Sequence, residues 1–260
     1  MRRSPRGGYA SGAALTQSAL TMNQLTQQRH PLRRTEPASV RSAVLAAYRQ
    51  LPRSTRLHVR VRWHSAPLGA VAAAVPPQGR ILDVGCGHGV VSLLLAAQSP
   101  AREIHGVDVD EAKIFEARQA ADTLQVSLGT TNPASFETVP AGWRPPAGPH
   151  WDAIIVCDVL YLLGPEAAVG LVRACAAALA PGGALVVKEI SDRPCWKYRL
   201  AVLQELAAIK LTKVTVGETV RFVSAQQLAT AMSDAGLQTT QRRIDRGYPH
   251  PHLLSVGVAR

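Results

Sequence analysis

A glycine-rich turn between two apolar segments restricts the fold of this chain more than any other feature. Arg80–Val84 has the pattern of a buried strand, the letters GCGHG follow at Gly85–Gly89, and Val90–Gln98 has the pattern of a helix. Glycine adopts backbone conformations that other residues avoid, and the N-terminus of a helix attracts negatively charged groups. The segment therefore predicts a strand–turn–helix unit whose backbone a ligand can approach closely.

Two acidic residues make this prediction more specific. Asp83 precedes the glycines inside the strand, and Asp108 ends the next predicted strand, 19 residues after Gly89. A carboxylate at the second position can accept hydrogen bonds from both ribose hydroxyls of a nucleoside. The glycines have the spacing GxGxG, and Val90 stands where a dinucleotide-binding fingerprint has Gly or Ala, so the sequence disfavours an NAD(P) oxidoreductase.

Short apolar runs alternate with helical patterns over residues 78–260, which is typical of an α/β fold with a parallel sheet. We predict strands over Arg80–Val84, Glu103–Val107, Gln125–Leu128, Trp151–Cys157, Ala184–Lys188, Leu237–Asp245 and Leu253–Ala259. The last two are expected to form an antiparallel pair. We predict helices over Ala38–Leu51, Val90–Gln98, Asp110–Asp122, Pro165–Leu179, Trp196–Leu211 and Ala225–Ala235, the last ended by Gly236.

These motifs resemble those of the class I S-adenosylmethionine-dependent methyltransferases. The resemblance covers Ala38–Arg260 and rests on ILDVGCGHG, GVDVD, WDAIIVCDVLYLL, LAPGGALVVKE and RGYPHPHLLSVG. It implies a Rossmann-like seven-stranded methyltransferase sheet of order 3-2-1-4-5-7-6, with strand 7 antiparallel and helices on both faces. It also implies S-adenosyl-L-methionine as the cofactor and methyl transfer by in-line displacement.

The resemblance also implies the residues of a cofactor site. The glycine loop is expected to hold the methionine part, Asp83 the amino group and Asp108 the ribose, while Val109 packs near the adenine. Asn132 and Glu137 both fit the contact to the adenine amino group, and that contact is left open. The full set of expected cofactor-binding residues is Asp83, Gly85, Cys86, Gly87, His88, Gly89, Asp108, Val109 and Asp158.

Residues that could perform chemistry are those expected at the carboxyl ends of the strands, where open α/β sheets bind ligands. His250 and His252 lie in the turn before the last strand, where a neutral imidazole can take a proton from the acceptor. The alternative is that both are only turn residues. Asp158, after the fourth strand, is a third candidate catalytic residue or else a structural one. No spacing of residues suggests a metal site.

The acceptor pocket is expected to include Tyr161, Glu189 and Trp196, which follow the fourth and fifth strands. The alternatives are ordinary aromatic packing and, for Glu189, a salt bridge with Lys188 at a strand end. We expect a small-molecule or lipid-like acceptor. The sequence does not indicate the oligomeric state.

The net charge is confined to the N-terminal quarter of the chain. Residues 1–64 contain twelve arginines and one acid, Glu36, whereas residues 65–260 contain 17 basic and 17 acidic residues. We divide the chain into a disordered basic arm (1–36), a helical lead-in or lid (37–77) and a cofactor-binding domain (78–260). The arm has the composition of a transit peptide, and two alternatives are a solvated tail and a start of translation at Met22.

Thr55–Trp63, in the lead-in, alternates apolar and mostly basic residues, which is the pattern of a strand. No hairpin partner is evident nearby, so we favour a helix with Leu57, Val61 and Leu68 on one face.

Two other functions compete with small-molecule methylation. An RNA methyltransferase could use the arm as an electrostatic handle, but CDVLYLL lacks the Asn/Asp-Pro-Pro-aromatic stretch that holds a base amine, and paired catalytic cysteines are missing. A non-catalytic binding module is the second alternative, which the intact glycine loop and Asp108 disfavour. The arm also permits peripheral contact with a membrane. Four widely spaced cysteines favour a reducing, cytoplasmic location.

Overall fold

Seven strands form one sheet in the order β3-β2-β1-β4-β5-β7-β6. The computed structural model describes residues 38–129, 134–191 and 224–260. The strands are β1 Gly79–Val84, β2 Arg102–Asp108, β3 Ser135–Thr138, β4 Trp151–Cys157, β5 Leu179–Ile190, β6 Gln238–Arg243 and β7 His252–Val258. The helices are α1 Ala38–Ala47, α2 Arg53–Ser65, α3 Leu68–Ala72, α4 Val90–Gln98, α5 Glu111–Leu128, α6 Pro165–Ala177 and α7 Ala225–Asp234.

The order of the strands determines where the sheet can bind a ligand. Strand β1 pairs in parallel with β2 on one side and with β4 on the other, whereas β7 pairs antiparallel with β5 and β6. Strands β2 and β3 lie on one side of β1, and β4 and the later strands lie on the other, so the connections lead in opposite directions from this point of the sheet. The crevice outside the carboxyl ends of β1 and β4 is therefore the expected ligand site. The predicted fold class is confirmed.

Both faces of the sheet are covered by helices because the central strands are apolar on both sides. Ile81 and Ile155 belong to a core with α1–α5, and Leu82 and Ile154 belong to a second core with α6 and α7. Adjacent residues of a strand point to opposite faces, so each central strand contributes to both cores.

The lead-in segment is helical, as predicted, but its buried face differs from the expected one. In α2 the buried residues are Thr55, Val59 and Trp63, which a helical period of 3.6 places on one side. Leu57 and Val61 are exposed on the other side, so their expected shared face with Leu68 is wrong.

The predicted third strand at Gln125–Leu128 is also wrong. These residues are the last turn of α5, which Gly129 ends at a φ of 64°. Strand β3 lies further on and contains a single buried residue, Phe136. Strand β3 has little apolar pattern, whereas the exposed Val126 and Leu128 at the end of α5 alternate with polar residues as in a strand.

Several predictions fall outside the described residues. These are the arm at 1–36, the helix at Trp196–Leu211 with its candidate Trp196, and Asn132. The division into an arm, a lead-in and a binding domain stays a prediction. None of the helices within 38–129, 134–191 and 224–260 combines the length and apolar character needed to cross a membrane.

Candidate active site

The three glycines of the loop have left-handed backbone conformations but different surroundings. Their φ angles are 72° at Gly85, 54° at Gly87 and 74° at Gly89. A Cβ atom at Gly85 would overlap the side chain of Val159, and one at Gly89 would lie 2.6 Å from Cζ of Phe136. A Cβ atom at Gly87 would meet nothing closer than the Cδ atom of Lys113 at 4.0 Å. Gly85 and Gly89 therefore allow Val159 and Phe136 to pack against the loop, whereas Gly87 leaves the loop surface open to a ligand.

Asp108 connects the end of β2 to this loop. Its Oδ2 accepts a hydrogen bond from the Gly87 backbone N–H at 2.8 Å, and its Oδ1 accepts one from the Asp110 N–H at 3.0 Å. A carboxylate has about four acceptor positions, so capacity remains for two ribose hydroxyls. The next residue, Val109, is exposed and offers an apolar surface beside the loop. The open cradle, the carboxylate and the apolar neighbour together fit the nucleoside of S-adenosylmethionine.

Asp83 is a buried carboxylate at the carboxyl end of β1. The Ser92 hydroxyl donates to its Oδ2 at 2.6 Å. Burial raises the pKa of Asp83 to about 6, although the Ser92 hydrogen bond and the positive charge of Arg62 act in the opposite direction. The group is mostly ionised at neutral pH, as an interaction with an ammonium group requires. Its assigned role at the cofactor amino group stays a prediction.

His88 turns from the glycine loop towards the lead-in helices. Its Nε2 atom lies 3.2 Å from Oε2 of Glu116, which also accepts a hydrogen bond from the Thr55 hydroxyl at 2.7 Å. Its backbone carbonyl accepts a hydrogen bond from the Tyr48 hydroxyl at 2.7 Å. Burial lowers the pKa of His88, so the ring is neutral. The loop is thus connected to α2 through Glu116 of α5, and to the turn after α1 through Tyr48.

Two cations share the carboxylate of Asp158 beyond the end of β4. Lys188 donates to both of its oxygens at 2.6 and 2.7 Å, and a guanidinium nitrogen of Arg62 lies 3.3 Å from one of them. Burial alone would raise the pKa of Asp158, but the two cations outweigh it and lower that pKa. The same pairing raises the pKa of Arg62 against the effect of burial.

The backbone after β4 is held in an unusual conformation. Asp158 has a φ of 61°, the one positive value at a residue other than glycine in the described part of the chain. The carboxyl group of Glu189 accepts hydrogen bonds from the backbone N–H groups of Val159 and Leu160 at 2.9 and 2.8 Å. Burial, and then the charge of Asp158, raise the pKa of Glu189 to about 8. Glu189 thus fixes the turn that follows Asp158.

His252 begins β7 at the same edge of the sheet. Its Nε2 atom lies 2.8 Å from the carbonyl oxygen of Ser65, so Nε2 carries the hydrogen and donates it. Its Nδ1 atom is buried and has no hydrogen-bond partner among the described residues. Burial, reinforced by the charge of Lys188, lowers the pKa of His252 to about 3, so the ring is neutral. The ring of His250 lies 5.9 Å from it, centroid to centroid.

The structure brings most of the predicted site residues to one edge of the sheet. The ends of β1, β2, β4, β5 and the start of β7 carry Asp83, Asp108, Asp158, Glu189 and His252. Tyr161 is half-buried in the turn after β4, whereas Glu137 lies on β3, with Oε2 at 3.2 Å from Nε2 of His105. Within the described ranges no group of three His, Cys, Asp or Glu residues could hold a metal ion.

Sequence reasoning missed two contributors from α2, Arg62 and Ser65. The alternation in Thr55–Trp63 fits a strand as well as a helix, so it did not reveal which basic residue faces inward. On a helix with Val59 and Trp63 buried, Arg62 lies next to the buried face. Its place beside the buried face is the feature from which the inward position of Arg62 could have been predicted.

Comparison with known proteins agrees with this geometry. The family described as "Methyltransferase domain" matches residues 58–242. The chain belongs to this methyltransferase family. The predicted class, a class I S-adenosylmethionine-dependent methyltransferase, is confirmed by this match together with the order of the strands. The protein is accordingly an enzyme with S-adenosyl-L-methionine as its cofactor.

The individual relatives of this methyltransferase share less than 30% of its sequence. A ubiquinone biosynthesis O-methyltransferase of Neisseria meningitidis serogroup C is 26% identical over 164 residues, which cover 63% of this chain and 66% of that protein. The protein of the same name from Burkholderia pseudomallei (strain 1710b) is 29% identical over 64% of this chain and 67% of its own length. The methyltransferase thus spans just under two thirds of the Neisseria relative.

A solved structure shows the same fold. Magnesium protoporphyrin IX methyltransferase from Synechocystis PCC 6803, with bound SAH, superposes with a TM-score of 0.58 at 19% identity. The alignment covers 86% of this chain and 95% of that one. At this identity the likeness concerns the fold alone.

Proposed function

We propose that this methyltransferase methylates a hydroxyl oxygen of a small-molecule acceptor bound at the carboxyl ends of β4 and β5. The observation that carries the proposal is the buried Nδ1 atom of His252, which has no hydrogen-bond partner among the described residues. The name O-methyltransferase, which the Neisseria and Burkholderia relatives share, supports an oxygen acceptor. When bound, S-adenosylmethionine supplies a methyl group activated by a sulfonium centre.

His252 is well placed to orient a hydroxyl group. Because Nε2 donates to the Ser65 carbonyl, Nδ1 presents a lone pair. A buried acceptor without a partner costs about 1–3 kcal/mol, and a hydroxyl donor would offset that cost. With a pKa of about 3 the ring is too weakly basic to keep the proton at neutral pH. We therefore propose that His252 fixes the direction of the hydroxyl, and that alignment is its main contribution.

The cations next to Asp158 would stabilise negative charge on the acceptor oxygen. Arg62 and Lys188 face one carboxylate between them, so the group retains positive charge. Fixed positive charge in a partly dry site is an effective stabiliser of a developing oxyanion. Both Asp158 oxygens are already paired and its pKa is lowered, so we assign Asp158 to positioning of these cations. The roles of His250 as a base and Tyr161 in the acceptor pocket stay predictions.

The narrower form of the proposal is a lipid-like acceptor in the cytoplasm. Leu162 is exposed in the turn after β4, and Val159 and Leu163 beside it are only half-buried. An apolar acceptor would cover this turn. Cys86, Cys157 and Cys175 are free thiols, which suits a reducing compartment.

The test is methyl transfer from labelled S-adenosylmethionine to three matched acceptors. These are a phenol with an apolar side chain, the aniline of the same shape and the methyl ether of the phenol. We expect label in the phenol alone, and a rate lowered about 100-fold in His252→Ala with an unchanged affinity for S-adenosylhomocysteine. His150→Ala, an exposed residue just before the amino end of β4 and so at the opposite edge of the sheet, is the control. Equal labelling of the aniline, or a wild-type rate in His252→Ala, would reject the proposal.

A further inference from the structure

Helix α2 carries apolar side chains on the side that faces away from the core. Leu57 and Val61 are 64% and 55% exposed, while the opposite side is buried through Val59 and Trp63. Residues four apart on a helix are surface neighbours, so Leu57 and Val61 form an apolar pair. The outward side of a surface helix ordinarily carries polar residues. The outward side of α2 therefore carries an exposed apolar patch.

Arginines border the apolar pair. Arg53 and Arg60 are exposed on the same outward side of α2, and Arg56 lies at its margin, partly exposed. The segment 38–64 contains six arginines and no acidic residue. None of the salt bridges between described residues involves Arg53, Arg56 or Arg60. The surface combines an exposed apolar centre with a positive border that lacks countercharges in this part of the chain.

A groove leads from this surface towards the acceptor end of the site. It is open, has a volume of about 460 Å³, and is bordered by Arg60, Val61, His64, Ser65 and Pro249. The Ser65 carbonyl is the group that accepts the hydrogen bond from His252. The outward side of α2 and the candidate active site are therefore adjacent.

We propose that the outer face of α2, defined by Arg53, Leu57, Arg60 and Val61, docks on an anionic lipid bilayer. Leu57 and Val61 enter the headgroup–acyl boundary, and the arginines lie among the phosphates. Apolar residues on one side of a helix bordered by arginines are typical of helices that lie in a membrane interface. Each basic residue near an anionic surface adds roughly 1 kcal/mol of attraction. Docking does not depend on the methyl-transfer proposal.

Charge and apolarity together favour lipid over the other occupants. A second copy of the chain would bring two arginine-bordered surfaces together without countercharges. RNA would be attracted by the arginines, but its phosphates would leave the Leu57–Val61 pair without an apolar partner. Of these three occupants, the anionic bilayer alone offers negative charge at the rim and hydrocarbon beneath it.

The experiment is co-sedimentation of the full chain with vesicles at low and high salt. One set contains phosphatidylcholine alone, and the other contains added phosphatidylglycerol. We expect binding to the anionic vesicles, with a partition coefficient about tenfold lower in Leu57→Ser/Val61→Ser, a loss that persists at high salt. Arg53→Gln/Arg60→Gln should lower it on the order of 30-fold at low salt and much less at high salt.

The matched control is Phe115→Ser/Val126→Ser. These two side chains of α5 are 59% and 85% exposed, so their replacement removes exposed apolar surface elsewhere. The control should bind vesicles as the wild type does. A Leu57→Trp variant should in addition shift its emission to the blue with anionic vesicles, and Val126→Trp should not.

Three results would overturn the proposal: wild-type binding by Leu57→Ser/Val61→Ser, an equal loss in the control, or binding of the chain to polyuridylate but not to vesicles. The affinity for S-adenosylhomocysteine should be unchanged in every variant. Failure to dock is thereby distinguished from failure to bind the cofactor.

Discussion

Lys188 and Asp158 hold each other through both side chain and backbone. The ammonium group donates to both carboxylate oxygens, at 2.6 and 2.7 Å, and the Asp158 N–H donates to the Lys188 carbonyl at 2.9 Å. Lys188 is 1% exposed, so the pair is closed off from solvent on the lysine side. The edge between β4 and β5 is thus fixed where the proposed acceptor lies.

Removal of this lysine should destabilise the protein more than removal of the whole pair. Lys188→Met leaves a carboxylate with one partner, and breaking a buried pair costs about 3–5 kcal/mol. In Lys188→Met/Asp158→Asn the buried carboxylate is gone, Arg62 loses its carboxylate partner but its side chain is 25% exposed to solvent, and Asn tolerates the left-handed backbone at position 158. We expect urea unfolding to show a smaller loss in the double variant. A double variant as unstable as the sum of the two single variants would contradict this.

The open surface at Gly87 predicts a specific loss of cofactor affinity. Gly87→Val should abolish binding of S-adenosylhomocysteine by placing methyl groups where the ligand meets the loop. Gly142→Val is a matched control, because Gly142 also has a positive φ, 82°, with nothing within 4 Å of its Cβ position. Calorimetry should show no binding in the first variant and wild-type affinity in the second, with similar losses of stability. Retained binding by Gly87→Val would remove the loop from the cofactor site.

Asp108 is predicted to bind the ribose of the cofactor. Replacement of Glu137, in contrast, is predicted to leave the affinity for S-adenosylhomocysteine unchanged. Asp108→Ala should weaken binding of S-adenosylhomocysteine by roughly 1.5–3 kcal/mol, the range for hydrogen bonds to a charged group. Asp108→Asn keeps an oxygen for the Gly87 N–H and should lose less. Glu137 already contacts His105, so Glu137→Ala should bind as the wild type does. A weaker Glu137→Ala complex would revive Glu137 as the adenine contact.

The buried His252 predicts sensitivity to acid. Burial holds its pKa at about 3, against about 6.5 in an unfolded chain, so the unfolded state binds the extra proton first. The stability from the neutral ring is complete above pH 6.5 and is lost as the pH falls towards 3, at about 1.4 kcal/mol per pH unit. His252→Gln keeps a donor for Ser65 and cannot titrate. The free energy of unfolding, measured in urea, should fall less steeply between pH 7 and pH 4 in this variant than in His150→Gln, a control at an exposed site.

The glycine loop was predictable because its signal is local, whereas the order of the strands followed from the resemblance to a known family that the loop and the other motifs carry. Gly85–Gly89 and Asp108 lie in short segments whose patterns leave little choice of conformation. Strand β3 was not predictable, since Phe136 is its single buried residue. A four-residue edge strand pairs through its backbone, so its side chains give little sequence pattern from which the strand could be predicted.

The contribution of α2 to the site depends on contacts between distant segments. Ser65 and His252 are 187 positions apart, and no spacing in the sequence indicates that one accepts a hydrogen bond from the other. Arg62 is one basic residue of several in an alternating run that fits either period. The packing of α2 on the sheet selects Arg62, and that packing is a property of the whole fold.

The contact between Gly85 and Val159 limits how this enzyme can be altered. A Cβ atom at Gly85 would overlap the Val159 side chain, so the cofactor loop and the turn after β4 fit together without spare room. A smaller residue at position 159 would admit a bulkier acceptor, but it would also remove the side chain that packs against the loop holding the methyl donor. Directed evolution of acceptor range should therefore select compensating changes in both segments at once, and changes in one alone should trade new acceptors for weaker cofactor binding.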